Sequence, residues 1–188
     1  MGSTIVIIVV AALAALVVLG VVAFNTLRRL DVKAQEALGG IDVQLTRRTD
    51  LVPNLVNTVK GYAAHEQSVF EEVTAARAGV ARATVEGSVD EKAQAQGRLD
   101  RAIANVLAVA ENYPDLKAST NFLQLQQQLA DTENQLAFAR QYYNDAAASL
   151  NQRVVTIPWV FFTGLAGVQK RSFYQAPEGQ QAPPQVRF

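Results

Sequence analysis

The stretch that decides the fold is residues 122–150, FLQLQQQLADTENQLAFARQYYNDAAASL. A 3-4 repeat of apolar and small side chains lies on one stripe of an α-helix, as in left-handed helical bundles. Between Asn25 and Thr156 no stretch alternates with the period of two that a half-buried strand requires. The sequence therefore predicts an all-α fold. The repeat falls at Phe122, Leu125, Leu129, Thr132, Leu136, Ala139, Tyr143, Ala146 and Leu150.

The same repeat recurs three more times, in residues 27–45, 52–80 and 99–113. Ser88 and Glu91 form a capping-box pattern that predicts a helix start. Pro53 allows two interpretations, a new helix with proline in its first turn or one kinked continuous helix. We favour a turn at residues 48–50, which gives an antiparallel bundle of about four long helices.

A charge-free apolar run precedes the bundle at residues 4–24. Its 21 residues form a helix of about 30 Å, the thickness of a bilayer's hydrocarbon core. No Lys or Arg comes before the run, and a cleaved signal peptide would need such a positive region. We therefore expect a retained transmembrane anchor at residues 1–24, and a helical bundle at residues 25–156.

Positive charge follows the anchor at Arg28, Arg29 and Lys33. The positive-inside rule then predicts a single-pass protein of a cytoplasmic membrane, with the N-terminus outside and the helical domain in the cytoplasm. Small residues 11–15, together with Gly20, would also let anchors of neighbouring copies approach closely.

The C-terminal part divides at residue 174. Residues 157–174 begin with IPWVFFTGLAGV, which is too short to span a bilayer. In an up-down-up-down bundle the fourth helix returns towards the membrane, so Trp159, Phe161 and Phe162 would contact the headgroup layer. The alternative is that these side chains close the open end of the bundle. Residues 175–188 are rich in Pro, Gln and Gly, and we expect them to be disordered.

Composition narrows the chemistry. Lys and Arg total 17, as do Asp and Glu, without a basic cluster longer than a pair, so we expect no nucleic-acid binding. The chain has no Cys and only one His. The His65-Glu66 pair does not extend to H-E-x-x-H, because Val69 occupies the second His position. We predict no enzyme activity, no cofactor and no metal site.

Polar residues that fall in or beside the apolar repeats are the candidate site. Such residues either pair with each other to set helix register or line a pocket. We favour internal pairing, of Arg47 or Arg48 with Glu66 or Glu133. The residues are Arg47, Arg48, Asp50, Asn54, Glu66, Glu133, Asn134, Arg140, Tyr143, Asn144 and Asn151.

Two long motifs carry a family resemblance. Residues 42–66, DVQLTRRTDLVPNLVNTVKGYAAHE, and residues 111–151, which begin ENYPDLKASTNFLQ, resemble the signature of the LemA family of bacterial membrane proteins. The resemblance implies a helical bundle on a membrane anchor with no established enzyme activity. It also implies links to magnetosome membranes, envelope stress and membrane metalloprotease partners.

Two functions remain open. The first is a membrane-anchored scaffold or adaptor that self-associates and contacts the lipid bilayer. The second is a ligand-binding bundle whose polar groove holds a peptide, a headgroup or an ion. The second requires Glu66, Glu133, Arg140 and Asn144 to converge on an open cleft.

Overall fold

The structure, a computed structural model, describes residues 1–175 and is all-α within them. This confirms the predicted fold class. The expected disorder concerns residues that, apart from Gln175, lie outside the described part. The elements are α1 (Gly2–Lys60), α2 (Gln67–Glu86), α3 (Val89–Ala110), α4 (Pro114–Lys117), α5 (Thr120–Val155), a 3-10 turn (Trp159–Phe162) and α6 (Thr163–Ala166).

The first helix is continuous from the apolar segment to the far end of the bundle, so the predicted turn at residues 48–50 is wrong. Pro53 lies inside α1. A proline there has no N–H to donate to the carbonyl four residues earlier, which is that of Thr49. Arg77 Nε of α2 donates to the Thr49 oxygen instead, over 3.0 Å. The freed carbonyl is thus satisfied by a neighbouring helix, and α1 continues.

The first turn instead lies at residues 61–66, so the repeat in residues 52–80 is divided between two helices. Tyr62, which the repeat placed in the apolar stripe, is 48% exposed. The periodicity continues across the turn by coincidence of spacing. Reversal at this point lets Phe70, Val73 and Val80 of α2 pack back into the common core.

The four long helices run up, down, up and down. Arg47 of α1 bonds Gln135 of α5, and Lys33 lies over the ring of Tyr142, so α1 and α5 are antiparallel. Lys92 near the start of α3 pairs with Asp42 of α1. The α2–α3 hairpin therefore packs on the part of α1 that is distal to the apolar segment. The second helix of this hairpin, α3, begins with the predicted capping box of Ser88 and Glu91.

The fourth long helix returns to the apolar end of α1, as the parity of the bundle predicts. There the 3-10 turn and α6 pack against α1 and reach Gly20. A Cβ at Gly20 would lie 3.2 Å from the Phe162 ring, so this glycine permits the close approach. Gly167 then adopts a left-handed conformation with φ of 62° and ends α6.

Candidate functional site

We call the polar residues in or beside the apolar repeats the polar seam, and a buried arginine lies at its centre. Arg48 is 7% exposed and lies on α1 between α3 and α5. Its Nη2 is 3.0 Å from Asp100 Oδ1, and its Nη1 is 2.7 Å from Glu133 Oε2. Both contacts are ion pairs by distance, without the alignment of a hydrogen bond. Arg48 thus joins three helices through charge.

A second arginine completes the cluster. Arg140 Nη2 donates to Glu133 Oε1 over 2.6 Å, two turns along α5. The two arginines and two carboxylates together carry no net charge. Of the four predicted pairings, that of Arg48 with Glu133 is present. Burial raises the pKa of Asp100; the Arg48 guanidinium opposes this effect, and the Glu133 carboxylate adds to it. We call these four residues, Arg48, Asp100, Glu133 and Arg140, the charge cluster.

Two asparagines on α5 bind the extended segment that follows α6. Asn144 Nδ2 donates to the Tyr174 oxygen over 3.0 Å, and its Oδ1 accepts from Tyr174 N over 2.8 Å. Asn151 makes the same pair of bonds with Arg171, over 2.9 and 2.8 Å. Each amide therefore binds both the backbone N–H and the backbone C=O of one residue, as a residue of a neighbouring β-strand would. We call residues 168–175 the strap.

The spacing of the two asparagines fits an extended peptide. Seven residues of helix rise about 10.5 Å, and three residues of extended chain span about 10 Å. Asn144 and Asn151 can therefore bind residues 174 and 171 at the same time. Ser172 lies between these two residues of the strap, and its backbone oxygen accepts from the Tyr143 hydroxyl over 2.8 Å. We call the four hydrogen bonds of Asn144 and Asn151 to the strap the asparagine ladder. These bonds explain why polar residues accompany the apolar stripe of α5.

Both ends of the strap are tied to other helices. Arg171 Nη2 lies 2.7 Å from Asp31 Oδ1 on α1. Tyr174 is 2% exposed, and its hydroxyl donates to Gln96 Oε1 of α3 over 2.9 Å. Burial raises the pKa of Tyr174 far above its ordinary value, so the phenol stays protonated and able to donate. The strap thus connects α5 with both α1 and α3.

Comparison with known proteins agrees with the sequence motifs. The family model described as LemA matches residues 37–188. The chain belongs to the LemA family. Magnetosome protein MamQ 2 of Paramagnetospirillum magneticum is 25% identical over 203 residues, covering 92% of this chain and 75% of that protein. Protein LemA of Metamycoplasma hominis is 26% identical over 132 residues, covering 70% and 59%.

Magnetosome protein MamQ of Magnetospirillum gryphiswaldense is 25% identical over 170 residues, covering 78% of this chain and 62% of that protein. Within residues 1–175 of this LemA-family chain, one helix, Gly2–Lys60, is long and apolar enough to span a membrane. None of the residues in its most apolar stretch is buried. These features indicate a membrane-associated helical protein.

Other predicted seam residues of this LemA-family chain lie outside the charge cluster and do not contact the strap through hydrogen bonds. Glu66 stands at the start of α2, beyond the turn, and makes no ion pair within residues 1–175, so its predicted pairing with Arg47 or Arg48 is wrong. Arg47 is exposed and bonds Gln135. The reason is helix phase, because each of these residues is offset from the buried stripe of its helix. The exposed members are Arg47, Asp50, Asn54 and Asn134.

Four important polar residues were not among the predicted ones. Asp100, Gln96 and Lys92 lie on α3, where Lys92 and Gln96 are buried. Positions 92, 96, 99 and 103 continue the 3-4 spacing of the α3 stripe backwards from Leu99, which was the available signal. Tyr174 gave no such signal, because an extended segment has no helical repeat.

The aromatic residues beside the apolar segment of α1 are divided between the core and the surface. Trp159 and Phe162 are half-buried and pack against the core, and Arg153 lies 4.0 Å from the Trp159 ring centre. Phe161 is 75% exposed, as are Ile157 and Leu165 to a similar extent. The segment therefore closes the bundle on one side and presents an apolar surface on the other.

The seam is closed rather than open. The charge cluster is internally paired, and Asn144 is occupied by the strap. An open groove of about 650 Å³ lies elsewhere, between α2 and α3, lined among others by Gly79, Arg82 and Arg98. Within residues 1–175 no group of three or more His, Asp or Glu side chains is placed to hold a metal ion.

Proposed function

We propose that this protein is a membrane-anchored helical scaffold or adaptor with no catalytic role. The observation that carries the proposal is the continuity of α1 over 59 residues, from the apolar segment to the distal turn. A continuous helix transmits position without a hinge, so the body is held at a fixed height and angle. Rigid presentation of surface is what a scaffold requires.

The interior supports a mechanical role. Its buried charges neutralise one another across α1, α3 and α5, and Lys92 pairs with Asp42 in the same way. Buried ionic pairs of this kind fix helix register, because a slipped helix would leave a charge unpaired. The charge cluster is therefore a locking device in this proposal.

Self-association is proposed through an apolar surface on the outer side of α1 and α5. Val43 is 62% exposed, Phe138 72% and Tyr142 53%. The Arg47–Gln135 and Lys33–Tyr142 contacts place these parts of α1 and α5 side by side. We call Val43, Phe138 and Tyr142 the α1–α5 face. A second copy, or a membrane metalloprotease of the kind that the family resemblance implies, would bind there.

Cysteine crosslinking in membranes tests this function, since the natural chain has no Cys. We expect Phe138→Cys to form a disulfide-linked dimer under mild oxidation, because a homotypic face brings the two thiols together. Glu71→Cys, exposed on α2, is the matched control and should stay monomeric. Monomeric Phe138→Cys, together with a monomer mass for the detergent-solubilised protein, would overturn the self-associating scaffold.

The proposed location is a bacterial cytoplasmic membrane, with the N-terminus outside and the helical domain in the cytoplasm. The excess of Arg and Lys after the apolar segment supports it. The magnetosome names of the MamQ relatives support a role in membrane organisation. A role in envelope stress is proposed from the family resemblance alone.

A second candidate is a peptide-binding bundle, and one observation favours it. The asparagine ladder binds an extended segment mainly through its backbone, so it would accept other sequences. In this structure the chain's own strap occupies that site. A foreign peptide would have to displace it and compete with a segment tethered to the same molecule.

A further inference from the structure

We propose that the membrane-facing end of the bundle is a binding surface for anionic phospholipid headgroups. It rests on the proposed membrane location and on the headgroup contact expected for Trp159, Phe161 and Phe162, and it adds the lipid class. The surface consists of six basic side chains that the fold gathers beside the apolar segment of α1. They are Arg28, Arg29, Lys33, Arg153, Lys170 and Arg171, and we call them the basic collar.

Three separate parts of the sequence supply the collar, and contacts bring them together. Arg171 of the strap and Arg28 of α1 both pair with Asp31, at 2.7 and 3.7 Å. Arg153 at the end of α5 stacks on Trp159, whose segment packs against α1. The collar is thus a product of the fold, although the whole chain has no net charge.

Acidic residues are scarce at the end of the bundle where the collar lies. Residues 146–175 contain no Asp or Glu, and residues 25–35 contain only Asp31. The next carboxylates on α1 are those of Glu36 and Asp42, and Asp42 is paired with Lys92. Asp145 on α5 is also exposed and lies less than one turn from Tyr142, which Lys33 contacts. Six basic and two acidic side chains therefore give this level of the bundle a net charge of +4. Such a concentration attracts an anionic leaflet.

The position of the collar matches the headgroup layer. If Phe24 ends the apolar span, Lys33 lies nine residues further on, about 13 Å along the helix axis. Headgroup regions and the screening length in physiological salt each extend roughly 8 Å. Below the collar, Ile157, Phe161 and Leu165 are largely exposed and would enter the acyl chains. Charge above and apolar surface below suit a phospholipid and no free anion.

Two collar residues are free to bind. Arg29 and Lys170 are exposed and make no ion pair within the part of the chain that the structure describes. Arg98 and Arg101 on α3 are likewise exposed but lie beside Asp100, which contacts Arg48, 24 residues above Phe24. They are therefore matched controls, equal in charge and about 36 Å from the span.

The single tryptophan makes the test direct, because Trp159 lies under the collar. The full-length protein is reconstituted in vesicles of phosphatidylglycerol and phosphatidylcholine in equal amounts. In one set the phosphatidylglycerol carries brominated chains, and in the other the phosphatidylcholine does. We expect brominated phosphatidylglycerol to quench Trp159 roughly twofold more strongly at low salt, because the collar enriches it locally.

The variants separate the lipid preference from membrane contact. Arg29→Gln with Lys170→Gln should bring the quenching ratio close to one, whereas Arg98→Gln with Arg101→Gln should keep it. High salt should lower the ratio of the natural protein. Equal quenching by the two brominated lipids overturns the anionic preference and leaves the membrane role intact. No quenching by either lipid overturns both.

Discussion

Single residues in this protein act mainly through the partners that tertiary packing gives them. Arg47 and Arg48 are neighbours in sequence, yet one is exposed and the other is 7% exposed between two carboxylates. A rotation of 100° around the helix separates a surface arginine from the centre of the charge cluster. Residue type alone does not distinguish them.

Replacement of Arg48 therefore has a large expected effect. Arg48→Met leaves Asp100 and Glu133 without their shared cation, and an uncompensated buried charge costs about 3–5 kcal/mol of unfolding free energy. Arg47→Met, one position earlier, should change it by less than about 0.5 kcal/mol. Chemical unfolding in mild detergent, followed by circular dichroism, measures both. Similar losses in the two variants would contradict a buried locking role.

Among the elements, the strap is the most distinctive. It has no regular hydrogen bonding of its own, and α5 supplies the partners that a second strand would otherwise give. The Pro53 region shows the same principle in α1, where Arg77 of another helix replaces a missing N–H. In both places one element completes the backbone hydrogen bonding of another.

The strap yields a prediction by proteolysis. Trypsin needs an extended, detached backbone, and Lys170 and Arg171 lie in the strap. Removing both ladder amides by Asn144→Ala with Asn151→Ala deletes four hydrogen bonds worth roughly 1 kcal/mol each. We expect cleavage there to accelerate roughly tenfold or more.

A matched control lies on the same helix. Asn134 is exposed on α5, and its side chain makes no hydrogen bond to the strap, so Asn134→Ala should leave the cleavage rate unchanged. Mass spectrometry of the released C-terminal peptide gives the rate. If the double variant is cut no faster than the natural protein, the ladder does not hold the strap.

At the scale of the whole molecule, the apolar segment and the bundle share one continuous helix. The 36 residues of α1 from Asn25 to Lys60 rise about 54 Å. At the base, α5, the 3-10 turn and α6 contact the same end of α1, which resists tilting. At the distal end, α2 and α3 add the second pair of helices.

This arrangement predicts an upright body about 50–55 Å tall above the bilayer. Neutron reflectometry on a supported bilayer measures the thickness of the protein layer. Inserting Gly-Gly-Ser between Asn25 and Thr26 should break the continuity of α1 and give a thinner, broader layer. A natural protein that already forms a layer of about 25 Å would show that the bundle lies flat.

The sequence by itself determined the all-α class, the apolar span and the up-down order of helices. These follow from local periodicity and burial, which a repeat such as that of residues 122–150 encodes directly. Only the tertiary structure decided that α1 passes through Pro53, because Arg77 comes from a distant helix. The tertiary structure also decided where the strap packs, since an extended segment carries no repeat that shows which helix it will contact. It likewise decided which basic residues form the collar, since a charge count does not show which side chains come together.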